Sequence, residues 1–119
     1  MPHVILIEDD ALVRTLLQRR MVAAGWEVTA LRDGRDLEES LREKAADLVV
    51  LDLGLPYMDG LSLLELLRAQ GSDVPVMVLT GYDLPHLHEA VIGAGADALV
   101  QKPYDPEDLV QRMQHMVAA

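Results

Sequence analysis

The residues best suited to chemistry in this 119-residue chain stand in four short groups: Glu8-Asp9-Asp10, Asp52, Thr80 and Lys102. Each follows an apolar run. Val4-Ile5-Leu6-Ile7 precedes the acids, Leu48-Val49-Val50-Leu51 precedes Asp52, Val76-Met77-Val78-Leu79 precedes Thr80, and Ala98-Leu99-Val100 leads to Gln101-Lys102-Pro103. If these runs lie side by side, three or four carboxylates, a hydroxyl and an ammonium converge on one edge. Like charges packed together are unfavourable until protons or a hard cation neutralise them. Carboxylates without sulfur or imidazole partners favour Mg²⁺, which takes oxygen ligands and keeps waters that a phosphate displaces. Lys44 and Lys102 are the only lysines. The one at this edge would offer a positive charge to an incoming phosphoryl group.

Each group alone also has an ordinary reading. Glu8-Asp9-Asp10 fits an acidic first turn of a helix, favoured by the helix dipole. Asp52 fits a turn before Gly54 and Pro56, and Thr80-Gly81 a plain strand exit. Lys102-Pro103 is harder to dismiss, because a proline there suggests a rigid, cis-prone peptide. Coincidence of all four at successive strand ends argues for function.

The elements that must position these groups are legible as a pattern. Continuous rather than alternating apolarity in the four runs predicts strands covered on both faces, as in a parallel sheet. The mixed segment Trp26 to Leu31 reads as an edge strand. Between the runs lie helical stretches: Val13, Leu16, Leu17, Met21 and Ala24 on one face with Gly25 as the cap, then Asp36 to Ala45, a Leu63, Leu64 and Leu67 stripe ending at Gly71, and Leu84 to Ala94. The last helix opens on Asp105-Pro106-Glu107-Asp108, an N-cap, proline at the first helical position and acids in the first turn. Leu109, Val110, Met113, Met116 and Val117 supply its buried side. Five strands alternating with five helices predict right-handed crossovers and a doubly wound α/β sheet. In such sheets ligands bind beyond the carboxyl ends of the strands.

One domain spanning residues 1–119 is expected, since domains cluster at about 100–150 residues. Formal charge is −10, from 20 acidic and 10 basic residues. That argues against nucleic-acid binding by this chain, which draws its affinity from Lys and Arg on phosphates. There is no apolar run long enough for a membrane span and no basic leader. The absence of cysteine rules out disulfide and thiolate chemistry and fits the cytoplasmic location expected here. His86 and His88, two residues apart, would not share a helical face, so no metal is assigned to them. Trp26, Met113 and Met116 read as packing, and His3 and His115 as surface or strand-start residues.

Taken in order, Ile5-Leu6-Ile7-Glu8-Asp9-Asp10, Leu51-Asp52-Leu53-Gly54-Leu55-Pro56-Tyr57-Met58-Asp59-Gly60, Val78-Leu79-Thr80-Gly81 and Lys102-Pro103-Tyr104 resemble the receiver domain of bacterial response regulators. The resemblance covers essentially the whole chain. It implies a flavodoxin-like sheet in the order 2-1-3-4-5. It implies that Asp52 accepts phosphate from a phosphohistidine on a sensor histidine kinase or phosphotransfer protein. Asp9 would ligate Mg²⁺ directly and Glu8 through water, with Asp52 and the Gly54 carbonyl as further ligands. Lys102 and Thr80 would contact the phosphoryl oxygens. The chain would then be a signalling phosphoacceptor rather than an enzyme with an external substrate. Its phosphorylation would switch contacts with a downstream protein, and a phosphorylation-dependent dimer belongs to the same picture. If output surfaces follow the family, they lie on helix 4, strand 5 and helix 5.

Two departures stand out. Receivers usually carry Tyr or Phe three positions before the lysine, where this chain has Leu99. The expectation is that output passes instead through helix 4 and the segment Gly81 to Pro85, where Tyr82 reorients. At the positions two beyond Asp52 and Thr80, Gly54 has no side chain to orient water and Tyr82 would shield the anhydride, implying slow-to-moderate self-dephosphorylation.

Three rival readings have discriminating features. A phosphohydrolase of the haloacid dehalogenase type would place its nucleophile after strand 1. A nucleotide- or flavin-binding module would need glycines or hydroxyls there rather than Glu8-Asp9-Asp10, which would repel phosphates without a metal. A phosphorylation-independent docking domain would have no need of Asp52, Thr80 and Lys102 together.

Overall fold

The computed structural model describes residues 1–117. Five parallel strands, β1 (His3–Ile7), β2 (Glu27–Leu31), β3 (Leu48–Asp52), β4 (Val76–Thr80) and β5 (Ala98–Gln101), form one sheet in the order β2-β1-β3-β4-β5. Five helices alternate with them: α1 (Ala11–Ala23), α2 (Leu37–Glu43), α3 (Gly60–Ala69), α4 (Leu87–Gly93) and α5 (Pro106–Val117). This is the doubly wound α/β fold expected from the alternation.

Side chains along a strand point alternately to its two faces, and the core divides accordingly. Ile5, Ile7, Val49, Leu51, Val76 and Val78 pack with Leu63, Leu64 and Leu67 of α3, Leu37 of α2 and Val91 of α4. Val4, Leu6, Val50, Met77 and Leu79 pack against Leu17 and Met21 of α1 and Leu109, Val110 and Met113 of α5. Because β1, β3 and β4 are covered on both sides, every one of their residues is buried. The edge strand β2 is partly exposed, which is why its sequence mixes polar with apolar residues. Trp26 lies just before it, buried with the α1/α5 layer.

Local chemistry sets the helix starts. Asp10 caps α1, accepting from the Leu12 and Val13 amides at 2.9 and 3.1 Å. Asp59 caps α3, accepting from the Ser62 amide at 2.9 Å, and Asp105 takes the Glu107 amide at 2.8 Å as Pro106 opens α5. Gly25, with φ +96°, carries the chain from α1 toward β2 in a conformation that side chains disfavour.

Three expectations are corrected. The fourth helix begins at Leu87, not Leu84, because His86 is left-handed (φ 63°) and interrupts the spiral. The second is shorter than expected, a 3-10 turn at Gly34–Asp36 followed by Leu37–Glu43. Leu16 is 51% exposed. The buried stripe of α1 centres on Leu17 and Met21, and Leu16 lies about 100° around the helix from Leu17. His3 starts β1, one of the two positions expected for it, and is buried there, with its ring between the Ala45 carbonyl (3.0 Å) and the Thr29 hydroxyl (2.8 Å).

Candidate functional site

The sheet register places the four chemical groups together at the carboxyl ends of neighbouring strands. β1 delivers Glu8, β3 ends on Asp52, β4 ends on Thr80, and Lys102 follows β5. Thr80 pairs in register with Gln101, and the Lys102 amide donates to the Thr80 carbonyl at 2.7 Å. This pins the lysine beside the centre of the sheet. The Lys102–Pro103 peptide is cis.

Asp52 is only 7% exposed. Its Oδ1 accepts from the Gly54 amide at 2.9 Å, and its Oδ2 is paired with Lys102 Nζ. Close packing behind it depends on Gly60. A Cβ there would collide with the Asp52 carbonyl oxygen and lie 2.8 Å from both Leu51 Cδ1 and Leu53 Cα. The Gly60 amide also donates to the Leu53 carbonyl at 2.8 Å. Glycine at the first position of α3 thus lets the helix sit directly against the strand end that bears Asp52.

Glu8 is 2% exposed. Its Oε2 accepts from the Asp10 amide at 3.2 Å, and its Oε1 lies 3.7 Å from Lys102 Nζ without a hydrogen-bond partner. Burial pushes the Glu8 carboxyl above its ordinary value, while the Asp10 amide and the Lys102 charge pull the other way without cancelling it. For Lys102, burial disfavours the ammonium, but its hydrogen bond to Asp52 and the charges of Asp52 and Glu8 outweigh that and raise its pKa. The cluster sets two carboxyl groups against one ammonium.

Of the residues singled out by sequence, Glu8, Asp52, Gly54 and Lys102 stand in mutual contact or close approach. Thr80, 1% exposed, ends the adjacent strand with its hydroxyl accepting from the Tyr82 amide at 2.9 Å. Asp9 is exposed and faces a recess shared with Arg32, Arg35 and Tyr57. Asp10 is spent on the helix cap. Among the described residues no three acid or imidazole groups form a ready-made metal cage. Mg²⁺ does not need one, because it is held by one or two carboxylates with waters and substrate oxygens completing its shell. The buried, unpartnered Glu8 Oε1 beside the Asp52 carboxylate fits such an ion.

Three groups around the site were not foreseen. The Arg14 guanidinium donates to the Glu8 carbonyl at 2.9 Å. Arg35 is held by Asp33 through bonds of 3.1 and 3.0 Å and stacks 3.7 Å over the Tyr57 ring. Tyr104 is near enough to Lys102, Glu8 and Asp52 to feel their charges, though burial is the main cause of its raised pKa. Arg14 acts on a backbone carbonyl, which leaves no mark in the sequence, and the Arg35–Asp33 pair, though only two residues apart, carries no sign in its spacing that it flanks the site.

A five-stranded sheet in this order, with acids, a hydroxyl and a lysine at its carboxyl edge, defines a class of signalling domain. The chain belongs to the response regulator receiver domain family, whose model matches residues 4–114. It is similar to response regulator MprA of Mycolicibacterium vanbaalenii, 35% identical over 115 residues, covering 97% of this chain and 50% of that protein. It is 37% identical over 117 residues to the virulence transcriptional regulatory protein PhoP of Salmonella typhimurium, covering 98% of this chain and 52% of the relative. The chain thus spans about half the length of the curated relatives it matches. Among solved structures, the Francisella response regulator 1452 receiver domain superposes with a TM-score of 0.93 at 26% identity, covering 98% of this chain and 97% of that one. The BeF3-activated N-terminal receiver domain of Klebsiella pneumoniae RstA gives 0.89 at 29% identity, covering 98% and 99%. Among the described residues no helix is long and apolar enough to cross a membrane.

Proposed function

We propose that the whole domain, residues 1–119, is a phosphorylation switch in which Asp52 is the acceptor, and that its donor is a phosphohistidine on a sensor kinase or phosphotransfer protein. The observation that carries this reading is the state of the Asp52 carboxylate. It is nearly buried, held at one oxygen by the Gly54 amide and at the other by Lys102, with the unpartnered Glu8 oxygen alongside.

An Asp52 oxygen attacks phosphorus, the P–N bond to the donor imidazole breaks, and the ring leaves with a proton from solvent. The product is a mixed anhydride, labile enough to make the mark temporary. Phosphoryl transfer asks a protein mainly for positioning and for neutralisation of spread charge. Lys102 neutralises charge on the transferred group, and the Gly54 amide fixes the carboxylate. The Thr80 hydroxyl, at the end of the adjacent strand, would donate to a phosphoryl oxygen once the group arrives. Glu8, Asp9, Asp52 and the Gly54 carbonyl would hold Mg²⁺. Bound there, Mg²⁺ would supply additional positive charge to the phosphoryl oxygens. Phosphorylation would then alter the contacts this domain makes with a downstream protein.

The test is incubation with acetyl phosphate or phosphoramidate, with and without Mg²⁺, followed by intact mass of wild type and Asp52→Asn. The expected result is a Mg²⁺-dependent gain of one phosphoryl group in wild type only. No gain in wild type, with no detectable Mg²⁺ binding, would refute the reading.

A further inference from the structure

Between α2 and α3 lies a cavity of about 250 Å³, and most of its wall is apolar: Leu37, Met58, Leu63, Leu66 and Leu67. A cavity of about 150 Å³ takes up benzene, so this one admits a larger ring system. The missing side chain at Gly34, which also lines it, lets the 3-10 turn close directly on Leu63, since a Cβ there would stand 2.8 Å from Cδ2. The other lining groups are polar: Arg35 and Tyr57, and Glu38 and Gln70.

Arg35 and Tyr57 are set in place. The Met58 amide donates to the Pro56 carbonyl at 2.8 Å, closing a three-residue turn with Tyr57 at its centre in the left-handed region (φ 67°). A side chain rarely adopts that region unless its surroundings enforce it, and such strain gathers at ligand clamps and active sites. The tyrosine is 76% exposed, yet the Arg35 guanidinium stacks 3.7 Å over its ring. Buried Asp33 orients that guanidinium, accepting from Nε and Nη2 at 3.1 and 3.0 Å. One fork of the arginine is thereby spent. The other, made by Nη1 and the second Nη2 hydrogen, meets no acceptor among the described residues. An arginine fork of this kind takes a carboxylate bidentately. Glu38 makes no equivalent offer to a cation, because its Oε1 accepts from Arg42 at 3.0 Å and its Oε2 from Gln70 at 3.4 Å.

We propose that this cavity is a binding site for a small aromatic carboxylate, with the ring among the leucines and the acid on the open fork of Arg35. The site goes beyond the phosphoacceptor reading and stands whether or not Asp52 accepts phosphate. Arg35 and Tyr57 also wall the recess at Asp9, so the ligand would lie next to the acceptor site without entering it.

The experiment is a titration of the ¹⁵N-labelled chain, read by amide NMR shifts, with three probes that share one ring: indole-3-acetate, indole-3-acetamide and tryptamine. The acid should shift the amides of Gly34, Arg35, Tyr57, Met58, Leu63 and Leu67. Its charge-assisted bonds to Arg35 should make it bind at least about tenfold more tightly than the amide or the amine. Arg35→Gln should remove that preference and leave the affinity for the amide unchanged. Leu66→Trp, at a position already 42% exposed, fills the cavity and should abolish these shifts in a chain whose spectrum is otherwise that of the folded protein. No shift of these residues at about 10 mM acid, which would reveal even a millimolar site, overturns the proposal. So does equal affinity for the three probes, or a preference for the acid that survives Arg35→Gln. A stronger response to tryptamine would assign the cavity to cations and overturn it as well.

Discussion

At the amino ends of β4 and β5 the Arg68 guanidinium spends all five of its N–H groups. It donates twice to the Gly95 carbonyl (2.7 and 3.1 Å), to the Ser72 and Val74 carbonyls (3.1 and 2.7 Å) and to Asp97 (3.2 Å). Asp97 in turn accepts the Val76 amide at 2.8 Å. At the carboxyl ends, two nearly buried carboxylates share one ammonium, and a Glu8 oxygen is left without a donor. One end of the sheet cancels its charges and ties two loops together. The other sets two carboxyl groups against one ammonium where a cation and a phosphoryl group would bind. Stability is supplied from the first, and the second is free to be electrostatically unfavourable until it is occupied.

This contrast can be broken most severely at the amino end. Arg68→Ala leaves several carbonyls of partly buried loops without their donor. Hydrogen bonds to charged groups contribute about 1.5–3 kcal/mol each, and losses overlap within one network. The expected cost is about 3 kcal/mol in urea unfolding, with the Mg²⁺ response of the surviving folded protein intact. A loss below about 0.5 kcal/mol, the range of ordinary surface substitutions, would show that the clamp is incidental.

A smaller effect of opposite sign is expected at the carboxyl end. Glu8→Gln removes one of two crowded carboxylates and should raise stability by about 1 kcal/mol, because an excess buried charge is a cost. The same change should weaken Mg²⁺ binding, read by calorimetric titration. Lower stability together with unchanged Mg²⁺ affinity would contradict the idea that this end trades stability for binding.

The smallest effect sharpens the comparison at the rim. Hydrogen bonds from the Arg35 side chain and amide hold the Asp33 carboxyl below its ordinary value of 3.8. A carboxylate held low in the folded state stabilises fully above its unfolded pKa and loses that contribution as pH falls through the folded value. Asp33→Asn should therefore lower the melting temperature slightly at pH 7, and wild type and variant should converge as the pH falls through the lowered folded-state value. A difference that persists in acid would mean that Asp33 acts through shape rather than charge.

How much of this was legible in the sequence follows from the range of the forces involved. The apolar runs showed the strands because burial on both faces leaves a local signature, and the edge character of β2 was readable from its polar residues. Asp52, Thr80 and Lys102 were readable because strand ends in this topology converge. Leu16 was misread because an apolar residue at the margin of a stripe looks the same whether covered or not. The early break before α4 depends on one left-handed residue, His86, whose identity does not announce it. Arg68 was invisible since its acceptors are backbone carbonyls, which every residue possesses. The strand start at His3 was readable but its burial was not, since the groups that satisfy its ring, the Ala45 carbonyl and the Thr29 hydroxyl, lie far away in the chain.

The claim on which the rest depends is that phosphate is received at one carboxylate, Asp52. Borohydride reduces an acyl phosphate to an alcohol, so an aspartyl phosphate becomes homoserine at the acceptor position. Protein treated with phosphoramidate and Mg²⁺, reduced and mapped by tandem mass spectrometry should carry homoserine at position 52. Homoserine at another aspartate in place of position 52, or at none while wild type gains phosphate, would contradict the account.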